Sequence, residues 1–351
     1  MDNLKQFVID WNKTQSDLFS SPDARMKRQQ FRAKHPTEIL ALKCMDGRIN
    51  MSVMTETPPG IIQPFRNMGG YFDLGWPFFG DAVHKFVDYA IHKGSDVLFF
   101  TSYHFSKGDT NRGCAGFCYD AEAARNSSDF LRQKIEVVFG KVNRVVYPIL
   151  VGIETDEDAL VLHGTNGEVL DIAEIPSSTS NDEMLIAINR LYPDMRFHMK
   201  RDLLRLLMGN LRHIKKIRTE QRLPIELDHR EQIIAVGHGF DWLHLTNLAL
   251  IIGPYDGWQN AVKTAGTIII KNIKENLVHD DSGALLLISV LSRDEIGSSG
   301  WNMSIEKAKY INKVAQEVLQ TEVPEIVPVL KNLVGVIDAN TRMLHQIEGL
   351  S

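Results

Sequence analysis

Short apolar runs alternate with amphipathic stretches along the first half of the chain. The runs at 38–44, 95–103 and 145–155 predict buried strands. Between them, residues 81–93 carry apolar side chains at helical spacing, and residues 120–138 also predict a helix. Strands that alternate with helices build a largely parallel sheet, so the pattern predicts α/β architecture with a parallel core.

Two other stretches of the first half have weaker patterns. The first 35 residues predict helix, with an uneven apolar face that consists of Phe7, Ile9, Trp11 and Leu18. Residues 47–80 are rich in Gly and Pro and predict a long loop, which the apolar segment GIIQPF interrupts. The least regular part of the predicted domain therefore follows its first strand.

The second half of the chain repeats the order of the first. EQIIAVGHG and ALLLISVLS predict strands, and residues 258–274 and 304–319 predict helices. Aligning IIAVGH with ILALKC places His238 opposite Cys44. These similarities are those of a duplicated domain that has diverged, or of two α/β domains that are alike by chance.

The same alignment extends to the second strand of each half. Aligning ALLLISVLS with DVLFFTSYH places Ser292 opposite His104, and each strand precedes a Gly-containing loop. A boundary is expected somewhere in 175–190, because the polar segment EIPSSTSNDE is typical of a linker between the halves. We therefore predict three parts, which are an N-terminal helical segment at 1–37, a first domain at 38–180 and a divergent repeat at 187–351.

Composition and charge limit the classes of partner. The 351 residues are 44% hydrophobic and 24% charged, the balance of a soluble globular protein. The formal net charge of −5 gives no electrostatic reason to expect nucleic acid or an anionic membrane as the main partner. The sequence has neither a signal-peptide core nor a run near the roughly 18 apolar residues of a membrane span. We therefore predict a cytoplasmic protein with no nucleic-acid or membrane partner.

Reactive side chains follow the predicted strands. The first strand ends in Cys44, the second ends in His104, and a Gly-rich loop then brings Cys114. Any one of them alone would more often be structural. Together they are expected on one rim, because ligands bind beyond the carboxyl ends of parallel strands. Two thiolates and an imidazole suit zinc, and three protein ligands with one open position are typical of a catalytic site.

An acid and a base follow the first thiol. Asp46 and Arg48 come at every second position after Cys44, so a continuing strand would point all three side chains the same way. Arg48 can hold Asp46 in a bidentate pair and keep it ionised. Asp46 could then accept a hydrogen bond from a water at the metal, or become the fourth ligand and close the site. The third cysteine, Cys118, is interpreted as a packing residue or a redox bystander.

These motifs resemble those of the β-class carbonic anhydrases. That family carries a C-x-D-x-R strand end, here CMDGR, and an R-N-x-G segment before a helix, here RNMGG. It then carries an apolar strand that ends in His, followed by Cys-x-Gly, here VLFFTSYH and CAG. The loop at 105–113 is longer than in most members and resembles the carboxysomal (ε) branch. CAGFCYDAEAAR and ILVGIETDEDALVLH are similar to that branch as well.

The resemblance implies a fold and a reaction. The fold would be a β-carbonic-anhydrase-like parallel sheet with flanking helices, followed by a second, degenerate repeat without metal ligands. Cys44, His104 and Cys114 would bind Zn²⁺, and Asp46 and Arg48 would be the catalytic dyad. The reaction would be the reversible hydration of carbon dioxide to bicarbonate, the activity of a carbonate dehydratase, which is a zinc lyase.

The resemblance also implies surroundings for the site. Phe65, Asn67 and Gly69 would wall a pocket for the small-molecule substrate. The protein would be a homo-oligomer, a dimer or a multiple of dimers. The carboxysomal branch has a long basic N-terminal extension, whereas about 35 residues precede the first strand here. We therefore expect a free cytoplasmic enzyme rather than a carboxysomal one.

Two alternatives remain at the same site. Some enzymes with the same fold hydrolyse carbonyl sulfide or carbon disulfide. The width of the pocket, which residues 47–80 would set, would decide between carbon dioxide and these sulfur-containing substrates. A non-catalytic zinc-binding interaction protein would have its site closed by Asp46. If Arg48 binds Asp46, the fourth position on the metal stays open for water. This contact would therefore distinguish a catalytic site from a closed, non-catalytic one.

Overall fold

Two β-sheets with flanking helices make up the part of the chain that the structure describes. The structure is a computed structural model, and it describes residues 3–140, 145–222, 226–243, 247–278 and 283–349. Residues 1 and 2 of the predicted N-terminal helix lie outside these ranges. Both sheets are mainly parallel, so the predicted α/β class with a parallel core is confirmed.

The first sheet has the order β2-β1-β3-β4-β5-β6. Its strands are β1 (Glu38–Cys44), β2 (Ile62–Asn67), β3 (Val97–Phe105), β4 (Val146–Glu154), β5 (Ala159–His163) and β6 (Val169–Asp171). The first four run parallel, and β5 and β6 are antiparallel additions. β1 and β3 are buried along nearly their whole length, which explains why their sequences are continuous apolar runs.

The second sheet has the order β11-β10-β9-β7-β8. Its strands are β7 (Ile233–Gly237), β8 (Ala249–Ile252), β9 (Ala284–Ser292), β10 (Leu330–Asp338) and β11 (Leu344–Gln346). If β7 is matched with β1, the strands from β7 to β11 repeat the order of β1 to β5. His238 then follows β7 where Cys44 ends β1, and Ser292 ends β9. The predicted repeat of one fold is therefore confirmed at the level of strand order.

Helices connect and cover the strands. They are α1 (Asn3–Ser20), α2 (Pro22–Lys34), α3 (Met51–Met54), α4 (Pro77–His92), α5 (Ala121–Ile135), α6 (Asn181–Leu191), α7 (Phe197–Glu220), α8 (Trp258–Lys274) and α9 (Ser299–Glu322). Local signals set several starts, since Asp120 caps α5 and a capping box of Ser180 and Glu183 starts α6. Among the helices in the described ranges, none has both the length and the hydropathy that a bilayer crossing requires.

The buried face of α1 agrees only in part with the predicted one. Ile9 and Trp11 are partly buried and pack against a hydrophobic core cluster. Leu4, Val8 and Asn12 are buried, whereas Phe7 is 44% exposed and Leu18 is 60% exposed. The Asn12 amide donates to a backbone carbonyl in the turn between β10 and β11, at 2.9 Å. A polar residue can thus lie on the buried face, because the turn offers it a hydrogen-bond partner that no local pattern reveals.

The predicted loop at 47–80 contains regular structure. It includes α3 and the strand β2, and α4 begins before the loop was expected to end. β2 is an edge strand that contains Pro64, and proline is tolerated at sheet edges because no ladder hydrogen bond is needed there. Five further strands are missing from the predicted elements, namely β5, β6, β8, β10 and β11.

The packing of the chain divides it into two compact units. The first-sheet unit consists of Lys27–Cys44 and Ile49–Leu227. The second-sheet unit consists of Met1–Met26, Met45–Arg48 and Asp228–Ser351. The four residues after β1 therefore pack with the second sheet, although the strand before them belongs to the first. The domain boundaries inferred from the sequence stay a prediction.

Candidate metal centre

Three side chains that suit a metal ion meet at the carboxyl ends of the strands of the first sheet. Cys44 is the last residue of β1, His104 is the next-to-last of β3, and Cys114 lies between two short 3₁₀ turns. β1 and β3 are parallel neighbours, so their carboxyl ends lie side by side. The two sulfurs are 3.9 Å apart, and one ligand atom from each residue lies within 4.8 Å of the others. The structure thus brings together the three predicted zinc ligands.

The donor set fits zinc. His104 is 1% exposed, and neither ring nitrogen has a hydrogen-bond partner in the described part of the chain. An unsatisfied buried polar group costs about 1–3 kcal/mol, which a metal at one nitrogen would remove. Two thiolates on a tetrahedral zinc would lie about 3.8 Å apart, given Zn–S bonds of about 2.3 Å. The sulfur–sulfur distance of 3.9 Å agrees with that geometry.

Two acidic residues hold the long loop that presents Cys114. The backbone N–H of Gly108 donates to the Asp156 carboxylate at 2.7 Å, and that of Lys107 donates to Glu154 at 3.1 Å. Glu154 is buried, and burial raises its pKa although three backbone N–H groups lower it. The end of β4 and the turn that follows it therefore hold this loop in place, although the loop is long.

The predicted pocket residues lie on β2 and the turn that follows it. Phe65, Asn67 and Gly69 are all buried. Gly69 has a φ of 67°, and a Cβ there would lie 2.8 Å from the Phe117 ring. Only glycine therefore lets the turn after Cys114 pack this closely. The role of these residues in lining a pocket stays a prediction.

Asp46 and Arg48 form a buried ion pair. They are 3% and 5% exposed. Arg48 donates from Nη2 to Oδ2 at 2.6 Å, from Nε to both carboxylate oxygens at 3.1 Å, and from its backbone N–H to Oδ1 at 2.9 Å. The structure therefore contains the bidentate contact expected from the sequence, and the carboxylate is held by charge-assisted hydrogen bonds.

The two residues do not continue β1 as expected. The strand ends at Cys44, and residues 45–48 pair with β8 in the second-sheet unit. The carbonyl of Met45 accepts a hydrogen bond from β8 at 2.7 Å, and the N–H of Gly47 donates to β8 at 3.0 Å. Pairing with β8 sets the path of this segment, and Asp46 forms an antiparallel bridge to Leu250, so the alternation of a continuing strand does not apply here.

Two residues of the second half extend the ion pair, and the sequence pattern does not single them out. His229 Nε2 lies 3.1 Å from Arg48 Nη2, and His229 Nδ1 lies 2.7 Å from Glu231 Oε1. Burial lowers the pKa of His229, but the Glu231 carboxylate raises it, and the net shift is upward. The sequence signal is an H-x-E spacing in DHREQ, which is too common to identify a site.

Tyr103 precedes a predicted ligand but is directed elsewhere. Its hydroxyl lies 2.9 Å from Nε2 of His163 on β5. Burial raises the pKa of Tyr103 to about 12 and lowers the pKa of His163. A phenol with so high a pKa is a poor proton carrier near neutral pH.

The matching positions of the second sheet have different chemistry. His238 Nε2 lies 3.3 Å from the hydroxyl of Tyr255, and burial lowers the pKa of His238 to about 4. The Ser292 hydroxyl donates to Asp294 at 3.2 Å. Among the described residues, three potential metal-binding side chains of the Cys, His, Asp and Glu types cluster only at Cys44, His104 and Cys114.

In the described part of the chain, fold and site together define an α/β protein with two sheets of one strand order and one candidate Cys₂His metal centre. The chain is 26% identical over 245 residues to the carboxysome shell carbonic anhydrase of Hydrogenovibrio crunogenus, which covers 59% of this chain and 45% of the relative. It is 26% identical over 239 residues to that of Prochlorococcus marinus subsp. pastoris, covering 58% and 46%. The resemblance to the carboxysomal carbonic anhydrases is therefore confirmed.

The chain spans about half the length of the curated relatives it matches. No family model matches it. A solved structure, that of the β-carbonic anhydrase CcaA, aligns with 48% of this chain and 99% of its own at 11% identity, with a TM-score of 0.30 that is too low to bear on the fold.

Proposed function

We propose that the protein is a zinc-dependent carbonic anhydrase that catalyses the reversible hydration of carbon dioxide to bicarbonate. The observation that carries this proposal is the buried cluster of Cys44, His104 and Cys114, in which the imidazole has no hydrogen-bond partner among the described residues. The two curated relatives are named for this activity, which supports carbon dioxide as the substrate.

The three clustered residues would hold the metal. Cys44 and Cys114 would bind as thiolates, and His104 would bind as a neutral imidazole. When bound, zinc supplies a Lewis acid that lowers the pKa of water to about 7, which provides a nucleophile at neutral pH. The burial of all three side chains protects the thiolates from solvent and fixes their geometry.

Asp46 and Arg48 would serve the same reaction. Asp46 follows Cys44 by two residues, so their Cα atoms are at most about 7 Å apart. Asp46 would accept a hydrogen bond from the attacking water and so direct a lone pair toward the carbon of CO₂. Arg48 keeps the carboxylate ionised by donating to both of its oxygens. The same contacts make Asp46 less available as a fourth ligand, which supports an open site over a closed, non-catalytic one.

Stopped-flow CO₂ hydration by the reduced, zinc-loaded protein tests the proposal. We expect Cys114→Ala to lose zinc and at least about 100-fold of the activity, since the ligand set is broken. Cys118→Ala is the matched control, because Cys118 is exposed and lies outside the cluster, and it should keep both. A zinc-loaded wild-type protein that does not hydrate CO₂ would overturn the proposal. Hydrolysis of carbonyl sulfide or carbon disulfide by that protein would then assign the sulfur-containing substrates.

Location and assembly stay predictions. The sequence predicts a cytoplasmic homo-oligomer, whereas the names of the two relatives favour the carboxysome as the compartment. Size-exclusion chromatography with light scattering of the zinc-loaded protein would measure the assembly directly.

A further inference from the structure

We propose that His229, held by Glu231, is a positioning residue that fixes the Arg48 guanidinium on Asp46. This inference rests on the proposed function, because it assigns a role in the hydration reaction to residues that act through the Asp46–Arg48 pair. All four residues lie within the second-sheet unit. His229 and Glu231 reach the pair although 181 residues separate His229 from Arg48 in sequence.

The contact between Arg48 and His229 defines the tautomer of the imidazole. A guanidinium has only donors, so His229 Nε2 must accept the hydrogen bond from Arg48 Nη2 at 3.1 Å. In this arrangement, which holds at a pH above the raised pKa of His229, the ring is neutral and its single proton is on Nδ1. That proton is donated to Glu231 Oε1 at 2.7 Å. Glu231 therefore selects the tautomer that leaves a lone pair facing Arg48.

Glu231 is itself firmly placed. It is fully buried at the start of the chain segment that leads into β7. The side-chain amide of Asn272, on α8, lies 3.2 Å from Glu231 Oε2 and 3.2 Å from the Glu231 carbonyl oxygen. A fully buried carboxylate that is held by a helix residue gives the imidazole a fixed partner, which is what a positioning role requires.

The two contacts of Arg48 Nη2 explain how His229 could act. This nitrogen carries two hydrogens, and among the described residues it contacts Asp46 Oδ2 at 2.6 Å and His229 Nε2 at 3.1 Å. One hydrogen of Nη2 is donated to Asp46 and the other to His229. The planar guanidinium therefore cannot rotate away from Asp46 without losing a buried hydrogen bond. A carboxylate in place of His229 would compete with Asp46 for the positive charge. A neutral imidazole orients Arg48 without that competition.

Three variants test the role by kinetics. We expect His229→Leu to lower kcat by about 10- to 100-fold, the range of residues that orient a catalytic group, with KM changed by less than about 2-fold. His229→Gln keeps an acceptor near the Nε2 position and should recover most of the loss. His213→Leu is the matched control, because His213 also contacts a buried carboxylate, that of Asp158 at 2.9 Å, but does not contact Arg48 in the structure. It should keep wild-type kcat. Zinc content and melting temperature are measured for each protein.

A double variant separates positioning from general damage. In an Arg48→Ala background, His229 has no guanidinium to hold, so adding His229→Leu should change kcat by less than about 2-fold. A loss as large as in the wild-type background would overturn the proposal. So would a zinc-loaded, folded His229→Leu protein with wild-type kcat, or a Gln variant no better than Leu.

A measurement that needs no activity distinguishes failure of this inference from failure of the proposed function. Nitrogen-15 NMR of the histidine side chains at about pH 9, well above the ordinary histidine pKa of about 6.5, reports the tautomer. The resonance is assigned by its absence from His229→Gln. We expect a protonated Nδ1 and an unprotonated Nε2 for His229, with a shift of Nε2 in Arg48→Ala. A proton on Nε2 would overturn the inference even in an active enzyme, and this test stands if His229→Leu fails to fold or the wild type is inactive.

Discussion

At the scale of single residues, the three cysteines differ sharply in their surroundings. Cys44 and Cys114 are buried and face each other across 3.9 Å. Cys118 is exposed and has a φ of 51°, in the left-handed region at the end of a 3₁₀ turn. Thiol reactivity requires access to the thiolate, so this difference should be measurable.

We expect one thiol of the zinc-loaded protein to react quickly with a colorimetric disulfide reagent. That thiol is Cys118, because it is the exposed one of the three. Cys118→Ser should abolish the fast phase and leave the zinc content unchanged. Removal of the metal with a chelator should then raise the reactivity of Cys44 and Cys114. Fast reaction of all three thiols while zinc stays bound would contradict the assignment of the buried pair as ligands.

At the scale of elements, the segment at 45–48 depends on a close approach of two backbones. A Cβ at Gly47 would lie 2.3 Å from the carbonyl oxygen of Ala249, on β8. Backbone atoms cannot move aside as the end of a side chain can. The glycine between Asp46 and Arg48 is therefore required for pairing with β8, and that pairing places the ion pair.

We expect Gly47→Ala to lower kcat by about 10- to 100-fold, since displacing the segment would misplace Asp46 and Arg48. Zinc content should stay at the wild-type level, because the substitution leaves all three proposed ligands in place. Gly75→Ala is a suitable control, since its Cβ would meet only the end of the Asp73 side chain, at 3.2 Å. Stopped-flow rates and metal analysis of both variants check the prediction. Loss of zinc in Gly47→Ala, with no separate loss of rate per zinc, would contradict it.

At the scale of the whole molecule, the two sheets have the same strand order but different side chains at the carboxyl ends of their strands. The first sheet has the cluster of two thiols and an imidazole. The corresponding positions of the second sheet have His238 and Ser292, each with its own hydrogen-bond partner. Within the second-sheet unit, β8, His229 and Glu231 contact the segment that carries Asp46 and Arg48. The two halves thus have different roles in the proposed enzyme.

We expect one zinc per chain rather than two, measured by inductively coupled plasma mass spectrometry, and none in Cys114→Ala. Chelation should lower the melting temperature by several degrees. The reason is that a ligand that binds only the native state, at a concentration a thousand times its Kd, stabilises that state by about 4 kcal/mol. The melting temperature of Cys114→Ala should not respond to the chelator. Two zinc ions per chain would contradict the assignment of the second copy as metal-free.

Much of the fold follows from local patterns. The strands β1 and β9 have the bounds that the apolar runs predict, and β3 and β4 differ by one or two residues at their ends. These strands are long and central, so burial on both faces makes their sequences continuously apolar. β2, β8 and β11 are edge strands of six, four and three residues, too short for a pattern of their own to identify them. The buried face of α1 likewise depends on the turn that its polar residues meet.

The sequence by itself determined the chemistry of the candidate site and its order along the chain. Cys44, His104 and Cys114 follow apolar strands and a Gly-rich loop, and these are local signals because strand ends and glycine turns are encoded by neighbouring residues. The tertiary structure alone decided the path of residues 45–48 along β8 and the meeting of Arg48 with His229. Hydrogen-bond partners so distant in sequence are chosen by the packing of whole elements, and no local pattern carries that information.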